Sequence, residues 1–318
     1  MTAIVAWLAG CGDVLATLFW QPFAEFGFMR RAIAGCLALS MGAAPLGVIL
    51  QLRRMSLVGD AMAHALLPGV ALAYLLFGLS LTAMTVGGLL AGLLVAALAN
   101  TITRLTGEHE DASFAAFYLI SLALGVLLMS LRGSNVDLLH VLFGTALSLD
   151  DPTLLLASAI ASISLCGLAL IYRALLLDCV DPDFMRGRGL PSMISHGLFM
   201  VLLVLNLVGG FYAVGTLMVV AFLILPAATA RAWWRSVAGQ MAGAIAVASI
   251  SSGLGLLLSF HYGTPASPAM VLTLGLFYLA SICLGRYRSL RSRLATGRRT
   301  KRPLRTAADD GAELSRTG

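Results

Sequence analysis

Asp60 and His64 stand one helical turn apart in Gly59-Asp60-Ala61-Met62-Ala63-His64-Ala65-Leu66-Leu67-Pro68-Gly69, within a chain that is otherwise strongly apolar. An ionisable side chain at bilayer depth is expensive, so where one occurs it faces a cavity, a partner or an ion path. Residues at i and i+4 share a helix face and can reach one ligand together. A carboxylate with an imidazole suits divalent transition metals. The alternative is a buried hydrogen-bonded pair that only ties helices together.

The segment carrying the pair, Met55–Phe77, is itself unusual. Gly59, Pro68 and Gly69 are residues that a lipid-facing helix would not select. Proline removes one backbone hydrogen bond and kinks a helix, which a bundle tolerates where a neighbour or cavity re-satisfies the freed carbonyl. Interrupted helices of this kind mark binding sites in membrane carriers. Leu66 and Leu67, beside Pro68, are placed to form an apolar plug next to the polar pair.

The elements that must position this pair are legible from composition. The 318 residues are 59% hydrophobic and 11% charged, against about 25% charged in a soluble domain. The mean hydropathy is +0.92. Long apolar stretches recur from Phe26 to Leu284, which predicts an all-α, polytopic membrane protein. Nine spans are expected, with eight to ten as the range: Ala32–Leu52, Met55–Phe77, Leu81–Thr101, Ser113–Ser130, Pro152–Tyr172, Ser192–Leu207, Val214–Thr229, Ala238–Phe260 and Pro268–Leu284.

Three regions follow: residues 1–25, an interfacial or partly inserted segment; 26–285, the transmembrane domain; and 286–318, a basic tail expected to be disordered. Thr2–Trp20 has no basic leader and carries Asp13, so it makes a poor signal peptide; if it crosses, the spans number ten. The tail holds ten of the 21 Lys and Arg residues, which assigns it to the cytosol and to anionic lipid, not to nucleic acid. Counting back puts the N-terminus outside. Before the tail, eight arginines then lie inside (Arg53, Arg54, Arg104, Arg173, Arg186, Arg188, Arg231, Arg235) and three outside (Arg30, Arg31, Arg132).

Other polar residues are weaker candidates. His140, in a stretch too short to span (Val136–Leu149), is a possible further ligand or entry site, against the alternative of a structural histidine. His196 and His261 read as interfacial. His109 with Glu108, Glu110 and Asp111 makes an acidic inward loop, whose ordinary reading is solvated charge at a helix start. The five cysteines have no paired spacing and read as small packing residues. The inward loop from Asp178 to Pro191 is the largest polar insert between spans. There Asp181 or Asp183 can cap a short helix and Gly189 can end it, giving a docking surface.

No engine or enzyme motif is present. Lysine occurs once, at Lys301 in the tail, so a phosphate-binding Gly-rich Lys-Ser/Thr loop is absent. There is no His-Glu-x-x-His and no Gly-x-Ser-x-Gly sequence. Leu57, two residues before Gly59, stands where an intramembrane aspartyl protease would need glycine.

From Phe23 to about Leu284 the chain resembles the integral-membrane permease of bacterial ABC importers for zinc and manganese. The agreement is carried by Leu52–Ala71, Glu110-Asp111, Val136-Asp137-Leu138-Leu139 leading to Leu142-Phe143-Gly144, Asp181-Pro182-Asp183-Phe184, and Val214–Val219 running to Leu225–Arg231. The resemblance implies a homodimer in the bacterial inner membrane, two cytosolic ATP-binding cassette subunits, and a periplasmic or surface-anchored metal-binding protein. It makes Asp60 and His64 a transient site for transported Zn²⁺ or Mn²⁺, with no permanently bound cofactor. It makes Asp181, Pro182 and Gly189 part of the loop coupled to the ATPase. Certain zinc members carry a histidine within the stretch that is Phe114–Gly125 here, where this chain has Tyr118. Zinc is the first expectation and manganese the second. The alternatives are a permease for a metal chelate (siderophore or cobalamin) and a gradient-driven secondary carrier.

Overall fold

The structure, a computed structural model, describes residues 21–78, 80–106, 110–130, 149–180 and 192–287. Among the described residues every regular element is a helix: α1 (Gln21–Glu25), α2 (Gly27–Leu52), α3 (Ser56–Ala65), α4 (Leu67–Phe77), α5 (Leu81–Thr106), α6 (Glu110–Ser130), α7 (Asp151–Val180), α8 (Ser192–Val214), α9 (Thr216–Arg231), α10 (Val237–Tyr262) and α11 (Ala266–Leu284).

 Eight of these segments are long and apolar enough to cross a membrane, α3 and α4 counting together as one. The predicted seventh span, α9, is shorter, at about 24 Å of helix rise. Most of its residues are buried against other helices, so little of it has to match the lipid.

Contacts at the two ends of the bundle fix the alternation of the helices. At one end Arg31 pairs with Asp151 at 3.4 Å, Phe26 meets Phe260, and the Ser267 hydroxyl donates to the Val214 carbonyl. At the other, Arg53 pairs with Asp178, the Trp233 indole N–H donates to Ser281, and the Tyr287 N–H donates to the Ala232 carbonyl. The ends of α2 and of α7 to α11 therefore alternate as the span count requires. The Arg53 end carries the ends of α2, α7, α9 and α11 and the start of α8, which flank loops expected to be inward.

α2 is the central post. It packs on α7, α9 and α10, and most of its C-terminal half is buried. α3 and α4 lie across α5 and α6 on one side of it. The crossing of α4 and α5 depends on glycine. A Cβ on Gly69 would overlap the Gly87 carbonyl, and one on Gly87 would lie 2.5 Å from the Gly69 carbonyl oxygen. Small residues allow this backbone approach where lipid supplies no hydrophobic drive between helices. Gly69→Val is expected to cost about 3 kcal/mol through overpacking. A lower unfolding temperature of the detergent-solubilised protein would register it, and unchanged stability would contradict the crossing.

Two predicted boundaries shift furthest. α7 continues from the expected end at Tyr172 to Val180, carrying Arg173 and Asp178 into the helix. Its last turn is held by tertiary contacts at Asp178 that hydropathy does not register. α8 runs on from Leu207 to Val214, and Gly215, with φ of 89°, provides the turn into α9. α7 starts beside Asp150, whose carboxylate accepts from the Thr153 N–H; hydrogen bonding from Thr153 holds that carboxyl below its usual range.

Candidate metal pathway site

The pair lies on α3, near the Arg53 end of the bundle. The span breaks at Leu66 into α3 and α4, with Pro68 in the first turn of α4. Pro68 has no N–H to give the His64 carbonyl four residues back, and that carbonyl takes the Leu66 N–H instead. The interruption is thus two residues ahead of the proline, where a ring is tolerated as the start of a new helix.

On α3, Val58, Gly59, Ala61, Met62, Ala63 and Ala65 are buried. Of the others, Leu57, Asp60 and His64 form one stripe, at i, i+3 and i+7, and are progressively less exposed toward the helix break. The Asp60 side chain is 51% exposed and that of His64 19%. Their Oδ1 and Nε2 atoms are 3.8 Å apart, too long for a hydrogen bond. It is a separation that one ion can bridge, since two ligands at about 2.1 Å from a metal are at most about 4.2 Å apart.

The neighbouring wall is α6, which runs parallel to α3. Tyr118 lies against the imidazole, with ring centroids 5.3 Å apart and planes inclined at 48°. The His64 Nδ1 is buried without a hydrogen-bond partner, and so is one carboxylate oxygen of Asp111 at the start of α6. Among the described residues, no three His, Cys, Asp or Glu side chains gather closely enough to hold a metal. Two side chains from one helix could supply only part of a metal's coordination shell, unlike the closed four-ligand cages of structural zinc.

Gly59 and Gly69, expected on the pathway helix, have different surroundings. A Cβ on Gly59 would meet Leu223 and Leu50 at an ordinary 3.6 Å, whereas Gly69 is fixed by the α4–α5 crossing. Leu66 and Leu67 are buried beside the break, Leu66 toward Gly92 on α5 and Leu67 toward Gly125 on α6. His140, Asp181, Pro182 and Gly189 lie outside the described residues.

Sequence reasoning missed one polar cluster. His196, expected to be interfacial, is buried, and its Nδ1 meets an Arg53 Nη at 2.5 Å. The other Nη of Arg53 donates to Asp178 at 2.6 Å. The available signal was that all three residues fall at the inward end of the span count.

The family model for the ABC 3 transport family matches residues 25–285. The manganese import system permease protein ScaB of Streptococcus parasanguinis is 34% identical over 267 residues, covering 84% of this chain and 94% of its own. The chelated iron transport system membrane protein YfeD of Yersinia pestis is 31% identical over 281 residues, covering 88% and 93%. Among solved structures, PsaBC from Streptococcus pneumoniae in complex with Fab superposes with a TM-score of 0.76 at 31% identity, over 85% of this chain and 96% of that one. The interrupted helix, the open Asp–His pair and the apolar bundle around them therefore sit in a known setting: the chain belongs to the ABC 3 transport family, as a metal-type ABC transporter permease that passes many times through the bacterial plasma membrane.

Proposed function

We propose that this permease imports a free divalent transition metal ion, manganese first and zinc second, through the Asp60–His64 site. The observation that carries the reading is the 3.8 Å carboxylate–imidazole pair on the unburied stripe of α3. An exposed carboxylate in a membrane span needs an aqueous path or a partner. A homodimer supplies both, by setting the two α3 stripes around one passage. Relatives named for manganese favour that ion over the zinc expected from sequence. Carboxylate and imidazole serve either metal, so selectivity lies in geometry and availability rather than in ligand type.

In this mechanism a binding protein outside the cell delivers the ion while the passage faces outward. Asp60 and His64 replace part of its water shell. Two protein ligands leave the ion weakly enough held to depart, as conduction through a site requires. ATP-driven closure by separate cytosolic ATPase subunits, engaging the loop with Asp181, Pro182 and Gly189, then turns the passage inward. The N-terminus outside and the basic tail in the cytosol follow from the arginine distribution.

The relative named for chelated iron supports a second reading, a permease for a metal chelate. Proteoliposomes containing the permease, its ATPase and its binding protein separate the readings. The expected result is ATP-dependent uptake of free Mn²⁺, competed by Zn²⁺. Uptake of a siderophore or cobalamin complex in place of free metal would replace this reading with the second, and uptake without ATPase would indicate a gradient-driven carrier.

A further inference from the structure

The chain carries a buried ionic cluster far from the Asp60–His64 pair in contacts but close to it along the backbone. Arg53 occupies the turn between α2 and α3, three residues before Ser56 opens the site helix. One Nη donates to Asp178 Oδ2 at 2.6 Å, and the other contacts His196 Nδ1 at 2.5 Å. Arginine can only donate, so Nδ1 accepts and this imidazole is the neutral form. The guanidinium carbon lies 5.5 Å from the centroid of the Phe199 ring. The Arg53 and Asp178 side chains are only 10% and 13% exposed.

These partners are distant in sequence, 125 and 143 positions from Arg53. They have one thing in common. Asp178 is two residues from the end of α7, and His196 is in the first turns of α8. One planar guanidinium therefore bridges the two helix ends that flank the 181–191 loop, and joins both to the turn that starts α3. Breaking one arm of such a buried pair strands a charge, so the three ends are held in register.

We infer that Arg53 is a positioning residue that transmits movement of the α7 and α8 ends to the Asp60–His64 helix. This rests on the transport reading above, in which the 181–191 loop meets the ATPase. A displacement of either helix end must carry the α2–α3 turn with it or break the Arg53 contacts. In both cases α3 is re-aimed while Asp60 and His64 themselves are untouched. Arg53 binds no metal in this scheme; its role is to keep ATP turnover and metal movement in step.

The test uses the full permease–ATPase complex with its binding protein in proteoliposomes, reading metal moved per ATP hydrolysed. Asp178→Asn, nearly isosteric, and Arg53→Gln are expected to lower that ratio at least about tenfold while ATP hydrolysis continues. Arg53→Lys, which keeps the charge but loses the two-armed fork, should fall between them and wild type. The exchange of Arg53→Asp with Asp178→Arg should recover part of the ratio. Wild-type ratios in Asp178→Asn and Arg53→Gln would overturn the inference while leaving the transport reading intact. Failure of every variant to assemble would also overturn it, by making the cluster purely structural. Absence of ATP-dependent uptake in wild type would instead remove the transport reading itself.

Discussion

Asp60→Ala and His64→Ala are each expected to lower metal uptake at limiting concentration by about 100-fold, the upper part of the range seen when a metal site's supporting groups are removed. Cells relying on this permease should then fail to grow on chelator-treated medium and recover when metal is added in excess. The folded protein should tolerate both changes. Asp60 is half exposed and touches His64 at 3.8 Å without a hydrogen bond, so alanine leaves no buried partner stranded there. Alanine is also the better helix former at both positions. Membrane insertion and association with the ATPase should accordingly match wild type, which separates loss of the site from loss of the fold. Asp60→Asn sharpens the point, because it keeps the shape and removes only the charge. Normal growth of both alanine variants without added metal would overturn the assigned site.

The pair was legible in the sequence because the surrounding residues are so uniformly apolar. An aspartate, a histidine, two glycines and a proline within eleven positions stand out against spans built from Leu, Ala, Val and Ile. The helices themselves were legible for the same reason, since every backbone group in lipid must be satisfied within its own segment. Their ends were not. α7 keeps its helix to Val180 because Asp178 is anchored to Arg53, a residue 125 positions away, and no local pattern carries that information. His196 illustrates the same limit. A histidine near a span end resembles an interfacial side chain, and only the tertiary fold brings a guanidinium to its Nδ1. The break at Leu66, rather than at Pro68, follows from a local rule: proline's missing N–H is harmless in a helix's first turn, so the chain restarts just before it.

Tyr118→His should turn a passage for metal into a trap. The Tyr118 ring is already packed against His64, with centroids 5.3 Å apart, so an imidazole at this position stands beside that of His64. The site would gain a third protein ligand and a second nitrogen. Three ligands with one open position suit zinc in tetrahedral geometry, whereas manganese, favouring oxygen donors and octahedral coordination, gains less. Zinc affinity is expected to rise by about 10- to 100-fold, the scale on which coordination-shell changes alter metal binding. Zinc should then remain with the purified variant. Turnover should fall at the same time, because a site that binds too well does not release. Tyr118→Phe serves as the control: it preserves the ring against His64 and adds no ligand, so uptake should stay near wild type. The two measurements must move in opposite directions for the reasoning to hold. Zinc affinity that does not change in Tyr118→His would mean that the ion does not occupy the space between α3 and α6, and the passage would have to be sought on the other side of the Asp60 stripe.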